Sequence, residues 1–517
     1  MDLIQQFTRA RNRGVPIVVV RTADPAGAFA ALAPACTGPI VQWDGARGGV
    51  IYQKSKTQEI PELPIVPADA LVLAATLPGA GEKDHDGAAL FMLHAHRYWN
   101  EADVMVAIWA LRDTYKRDFR TLVLFALPGS IVPTELTNDV IVLDHELPGT
   151  SELTEIVHHV HTAARKRGAT VPAQPESTIV KAVDAIAGVH AFGAEQLVSM
   201  WMHSQAVINE TGETLDLDAL WEGKRRVIEQ TKGLSVHRGG ERFAGIGGLR
   251  SVIDFLQAFF AGLYRVGSIV WFDEVEKAMA GAQASFGDGG VAADAHGWLL
   301  SWLQDKDVPA VLFAGVPGSG KSLIAKAAGA ECGAPCVRFD MGAMLGSLMG
   351  ESQTAIRQGT AVVDAVSQGR PLVIATSNNP SALSPEFRAR FRLGTYFFDN
   401  PDSIEKPAIW DIHRAKQGIG PDDPQPNDDG WTGREIEQCC VLSRLLQWPL
   451  AKAAERIVPV ASTARDQFDA IRREAEVRGY LSASKPGPYR YDANDRSHGR
   501  ALDLSEALPG STSNSMN

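Results

Sequence analysis

The apolar run AVLFA (310–314) leads into Gly315-Val316-Pro317-Gly318-Ser319-Gly320-Lys321-Ser322, and a helix-forming stretch, LIAKAAGA, follows. A strand, a glycine-rich loop and a helix start in this order make a phosphate cradle. The glycines let the backbone curl until successive N–H groups point at phosphate oxygens. The helix adds its positive end. Lys321 reaches the β- and γ-phosphates, and Ser322 ligates Mg²⁺. This loop predicts binding of ATP with Mg²⁺.

A second chemical signal is SIVWFDEVEKAMAG (268–281), an apolar run that ends in Asp273-Glu274. That is the Walker B pattern: Asp273 holds Mg²⁺ through water, and Glu274 polarises the attacking water as general base. The order is unusual, because Asp273 precedes Lys321 in the chain. Moving residues 267–309 to follow Gln368 restores the ordinary order, with both breaks at strand starts. A relocated β-α unit can still slot between its neighbours in a parallel sheet if its crossovers stay right-handed. A third signal is PLVIATSNNP (371–380), a buried strand ending in polar residues. Asn378 is the candidate to contact the γ-phosphate or the attacking water, with Asn379 its competitor. Arg388, Arg390 and Arg392 cluster just beyond.

These residues need a parallel sheet to carry them. In 15–148 the runs PIVVVRT (16–22), DALVLAA (69–75), AALFMLHA (88–95), TLVLFALP (121–128) and DVIVLDHELP (139–148) read as buried strands, with a helix over 99–117. This N-terminal α/β domain has no phosphate loop. Its 122–148 segment follows the same order of strand, Pro-containing loop, strand, Asp and Pro as 372–401. That hints at a degenerate, nucleotide-free copy of the ATPase core; chance likeness between two α/β domains is the competing account. The expected organisation is an N-terminal α/β domain (1–168), a Pro-containing linker (169–177) and a helical connector (178–242). A permuted core (243–402), a helical lid (403–484) and a flexible tail (485–517) follow.

A net charge of −11 disfavours a nucleic-acid partner. Cys36, Cys332, Cys336, Cys439 and Cys440 lack paired CxxC spacing and read as reduced thiols. HxH at 94–96 and HHxH at 158–161 lack acidic or Cys partners at metal-ligand spacing and read as ordinary surface or core histidines. No apolar run spans a bilayer and no signal core opens the chain, so no membrane role is expected and the cytoplasm is the default location.

Together these motifs resemble the AAA+ ATPases, and within them the chloroplast- and cyanobacterium-encoded hypothetical-reading-frame ATPases. The likeness runs from about 15 to 485. It is carried by LFMLHAHRYW and TLVLFALPGSIVPTELTNDVIVLDHELP in the N-terminal domain. In the core it rests on FAGIGGL, GVPGSGKSLIAKA, FDMGAMLGSLMGES, WFDEVEKAMAG, SWLQDK and ATSNNPSALSPEF, and in the lid on GWTGREIEQ. It implies a P-loop AAA+ core with a parallel sheet and a helical lid. Ile246-Gly247-Gly248 would lie beside adenine, and Arg434 would be a phosphate-sensing lid residue. LGSLMGES would be a pore loop with Leu348 and Met349 where protein-threading relatives carry an aromatic. Arg388 or Arg390 would be a finger facing a neighbour's ATP, which implies a closed homo-oligomeric ring, commonly of six. The leading expectation is an ATP-hydrolysing remodeller of a protein partner. The alternatives are a nucleotide-dependent switch or scaffold with little hydrolysis, and a nucleic-acid motor or loader. A small-molecule kinase is weaker still, because the lid is helical and arginines follow the sensor strand.

Overall fold

The computed structural model describes residues 2–54, 59–80, 87–128, 130–277, 297, 299–345, 351–460 and 465–491. The chain divides into two compact units, residues 1–232 with 347–368, and residues 233–346 with 369–517.

The first unit opens with a six-stranded sheet of β1 (Ile17–Arg21), β2 (Ile40–Asp44), β3 (Gly48–Gln53), β4 (Ala89–Met92), β5 (Thr121–Ala126) and β6 (Ile141–Asp144). Its order is β3-β2-β4-β5-β1-β6, parallel except for β2 against β3. Helices Leu3–Asn12 and Pro25–Leu32 cover one face, and Pro67–Ala74 and Ala102–Arg117 the other. With both faces covered, β5 is buried along its whole length, as a continuous apolar run should be. DALVLAA is thus a helix, not a strand. Pro67 sits in its first turn and Ala and Leu fill it, which favours helix over strand. The strand it displaced is IVQWD at β2, where buried Gln42 interrupts the apolar pattern.

Five helices follow, between Thr150–Lys166 and Leu217–Glu229, around Leu153, Val157, Val183, Ile186 and Leu220. Helix Glu351–Val366 belongs to this unit although it lies in the chain among second-unit strands. Gly188 admits Val366 so closely that a Cβ there would stand 2.3 Å from its Cγ2. Gln368 Nε2 donates to Asp184 Oδ1 at 2.9 Å.

The second unit holds β7 (Leu234–His237), β8 (Ser268–Phe272), β9 (Ala310–Gly315), β10 (Cys336–Phe339), β11 (Pro371–Ser377), β12 (Thr395–Phe398) and β13 (Leu481–Ser482). Their order is β13-β12-β9-β11-β8-β10-β7, parallel except for β7 against β10. So β8, which precedes β9 in the chain, sits between β10 and β11. Helices Arg250–Ala261 and Lys321–Cys332 pack on one face. Helices Lys406–Gln417, Gly433–Leu446 and Leu450–Ala454 form a separate small core around Trp410, Trp431, Ile436, Cys439 and Cys440.

Two local departures from the sequence expectation stand out. A strand, β7, lies inside the stretch read as a helical connector; LSVH alone is too short to show a period. Helix Arg465–Val477 and β13 leave the lid and pack on the sheet at β12, through Ile471, Ala475, Tyr480 and Tyr489. Residues beyond 491 and the pore-loop candidates Leu348 and Met349 lie outside the described residues.

Candidate functional site

The glycine-rich loop leaves β9 and enters helix Lys321–Cys332 at the rim of a cavity of about 360 Å³. Gly315 has φ 148°, and a Cβ there would stand 2.0 Å from the Phe398 carbonyl oxygen. Only glycine fits, so the first loop position is set by contact with β12. Gly315→Ala is expected to lower the thermal midpoint and nucleotide affinity together, at a cost of about 1–3 kcal/mol or more. A melt indistinguishable from wild type would show that the loop tolerates the methyl group.

Lys321 is buried at 5% exposure, and its Nζ donates to the carbonyls of Gly315 (2.9 Å) and Val316 (2.7 Å). Burial pulls its pKa down to about 7, opposed by the charges of Glu276, Glu274 and Asp273. The helix cap is Gly320, which has no side chain to offer its first N–H groups, and Lys321, Ser322 and Leu323 of that first turn line the cavity. A cationic lysine and uncapped N–H groups together suit a polyphosphate.

Asp273 stands just past β8. Its Oδ1 accepts from Ser322 Oγ (3.0 Å) and Thr376 Oγ1 (3.0 Å), and Arg338 approaches Oδ2 at 3.4 Å. The parallel register of β8 with β11 brings Thr376 here. Glu274 takes φ 51°, and Asn378 Nδ2 donates to its Oε1 at 3.0 Å. Its Oε2 accepts from exposed Lys277 at 2.5 Å. Next in line, buried Glu276 accepts from the Asn378 N–H at 3.0 Å, and its second oxygen has no partner among the described residues. The pair Ser322–Asp273 is a hydroxyl and a carboxylate at one point beside the loop. Those are the donors a small, hard dication such as Mg²⁺ takes.

Helices Lys406–Gln417 and Gly433–Leu446 supply further lining residues. Ile246 and Gly247 line the cavity opposite Ile409, Ile412 and His413 of helix Lys406–Gln417, an apolar slot fit for a base. Glu405 Oε1 accepts the Leu249 N–H at 2.8 Å and so ties this slot to the start of helix Lys406–Gln417. Burial lowers the His413 pKa. Arg434 lines the cavity from the first turn of Gly433–Leu446. That helix start is held by a buried box in which Glu435 Oε2 accepts the Thr432 N–H at 2.6 Å.

Thus Gly315–Ser322, Asp273, Glu274, Asn378, Ile246, Gly247 and Arg434 converge. Arg388 and Arg390 do not line the cavity. Arg388 faces Glu474 at 3.7 Å and Tyr480, while Arg390 is half-buried. Arg392 pairs with Asp307. Sequence reasoning left Arg338, Glu276, Glu405 and His413 unassigned. Of these only Glu276, two residues past the Asp-Glu pair, carried a positional signal.

The family model described as "ATPase family associated with various cellular activities (AAA)" matches residues 311–366, and that described as "SpoVK-like AAA ATPase, N-terminal domain" matches residues 2–145. The "Uncharacterized AAA domain-containing protein ycf46" of Guillardia theta is 22% identical over 447 residues, covering 75% of this chain and 78% of that protein. Its namesake in Gracilaria tenuistipitata var. liui is 23% identical over 369 residues, covering 63% of this chain and 66% of that protein. In Pyropia yezoensis the figures are 25% over 245 residues, 34% and 49%. Among solved structures, "Crystal structure of FIGL-1 AAA domain" aligns with TM-score 0.30 and 15% identity, over 48% of this chain and 94% of that one.

Proposed function

Because the chain carries an AAA ATPase domain and is homologous to the ycf46-type AAA proteins, we propose that it binds and hydrolyses ATP at the loop Gly315–Ser322. The observation that carries this reading is the meeting of Ser322, Asp273, Glu274 and Asn378, drawn from three strands, beside one uncapped helix start. Lys321 leaves its two carbonyls to pair with phosphate. Ser322 and Asp273 would hold Mg²⁺, which supplies charge neutralisation on the phosphates. Glu274, oriented by Asn378, takes the proton of the attacking water. Ile246, Gly247 and the lid helix would seat the adenine, and Arg434 would reach the phosphates from the lid.

The finer reading is a ring-forming remodeller of a protein partner. Arg390 is the better finger, since Arg388 is engaged by Glu474 and Tyr480 in its own unit. We also read the Asp273 strand as a unit relocated along the chain; its place between β10 and β11 supports this. The alternative, a switch with little hydrolysis, is favoured by two contacts. Both oxygens of Glu274 are already bonded, to Asn378 and Lys277.

Glu274→Gln separates the two. Its steady-state turnover is expected to fall about 10²–10⁴-fold with ATP still bound, and light scattering should find the ATP-trapped chain in a larger assembly than the nucleotide-free chain. A wild type that binds ATP yet turns over no faster than Glu274→Gln would leave the switch standing. A monomer's mass in the ATP-trapped state would remove the ring.

A further inference from the structure

The two sheets of this chain are built alike. Read from the antiparallel edge, the first runs β3-β2-β4-β5-β1-β6 and the second β7-β10-β8-β11-β9-β12, each antiparallel only in its first pair. Their registers also agree. A positive-φ residue followed by Val-Pro leads into each central strand: Gly14 (68°)-Val15-Pro16 before β1, and Asp307 (49°)-Val308-Pro309 before β9. That equates Val19 with Leu312. Val19 lies beside Leu124, and Leu124 beside Met92. Leu312 lies beside Ala375, and Ala375 beside Phe272. Two residues past Met92 and Phe272 the backbone turns left-handed in both units, at His94 (54°) and Glu274 (51°).

One strand further out, Trp43 coincides with Phe339, within Val41-Gln42-Trp43-Asp44 and Val337-Arg338-Phe339-Asp340. Each aspartate then caps the next turn. Asp44 Oδ1 accepts the Ala46 N–H at 2.9 Å, and Asp340 Oδ1 accepts the Ala343 N–H at 3.0 Å. A shared strand order is common among α/β sheets. Agreement of register, of left-handed positions outside glycine and of these short sequence echoes is not expected by chance.

We propose that the first unit is an internal counterpart of the second whose nucleotide position has been closed, so that the chain holds a single nucleotide. The inference takes the proposed ATP site of the second unit as its template. Where the second unit has its glycine-rich loop, the first has only Thr22-Ala23-Asp24 before helix Pro25–Leu32. That helix begins with proline, which lacks an N–H, and the Asp24 carboxylate accepts the Gly27 N–H at 2.9 Å. The chain's own anion takes one of the donors that a phosphate would need, and the proline removes another. Arg21 and Asp144 then bridge β1 and β6 at 2.6 and 2.7 Å, and Thr22 Oγ1 meets His145 Nδ1 at 2.8 Å.

The positions equivalent to the chemical groups have lost them. Leu93 stands for Asp273, Phe125 for Thr376 and Leu127 for Asn378. His94 replaces Glu274, with no carboxylate in the Asp273 position beside it. The first unit also keeps its parallel strands in the chain order β1, β2, β4, β5, β6. In the second, β8, the counterpart of β4, precedes β9, the counterpart of β1. One chain therefore contains both orders, which supports relocation of the Asp273 strand.

The test is photolabelling of the full chain with 8-azido-ATP and Mg²⁺, followed by peptide mapping and by counting bound nucleotide at equilibrium. Label is expected only on peptides from residues 233–346 and 369–491, at one nucleotide per chain, and Lys321→Ala should remove it. A labelled peptide within residues 2–145, competed by ATP, or a second saturable nucleotide surviving in Lys321→Ala, overturns the proposal. Absence of label from both units would sink the ATPase reading of the second unit, and with it the count of one nucleotide per chain, and would leave only the closed first unit standing.

Discussion

Lys321→Ala should reduce ATP turnover by about 10²-fold or more, the scale expected when a preorganised charge on the transferred phosphoryl group is lost. Lys321 is the only cationic side chain within the loop, and it waits buried on the carbonyls of Gly315 and Val316. Its pKa near 7 in the nucleotide-free chain gives a second readout. Phosphate restores the charged form, so binding at pH 8 should take up about one proton, seen by calorimetry in buffers of different ionisation heat. Stability follows the same linkage. The burial cost is present in full below pH 7, where Lys321 is charged in both states. From pH 7 towards the free-lysine value of 10.5 the unfolded chain binds more protons, so the folded chain gains stability as pH rises. The alanine variant should lose both the proton uptake and that part of the slope. Turnover within about threefold of wild type would take Lys321 out of the chemistry.

Arg472→Ala should be the most destabilising single change outside the loop. Arg472 is fully buried and forks onto Asp399 at 2.9 and 2.8 Å, with Asp469 at 3.2 Å. Tyr489 donates to the same Asp399 at 2.5 Å. Removing the guanidinium strands a carboxylate inside the protein, which costs about 3–5 kcal/mol. For a unit of this size that is roughly 10 °C in thermal midpoint. Asp399 also lines the cavity, so nucleotide affinity should fall with it. Arg472→Lys keeps the charge but not the fork and should fall between. A shift under about 2 °C for the alanine variant would show that the pair contributes little net stability.

The legible part of the site was the part where chemistry dictates residue type and spacing. GVPGSGKS, the Asp-Glu after SIVWF and the polar end of LVIATSN each announce themselves within ten residues. What stayed hidden is held by contacts across the chain. Glu405 on Leu249, Arg338 on Asp273 and Arg472 on Asp399 link segments that no local pattern connects. The fold class was legible because two-face burial leaves continuous apolar runs. The same rule failed at DALVLAA, since a short apolar run has no period to tell a buried strand from a buried helix. It failed again at β2, where a buried glutamine broke the run.

The place of β8 between β10 and β11 bears on how the protein is made. Synthesis runs from the N-terminus, so SIVWF leaves the ribosome before either flanking strand exists. Both of its hydrogen-bonding edges stay open while β9, the glycine-rich loop and its helix follow; β10 can then cover one, and the other waits through the long helix Glu351–Val366 for β11. The first unit's β4 waits less, because β2 is already made when it emerges. Assembly of the second sheet is therefore dominated by non-local pairing, which slows folding and exposes an apolar strand to other chains meanwhile. The order of strands that leaves the finished site unchanged lengthens the time for which the newborn chain exposes an apolar strand, until β11 arrives.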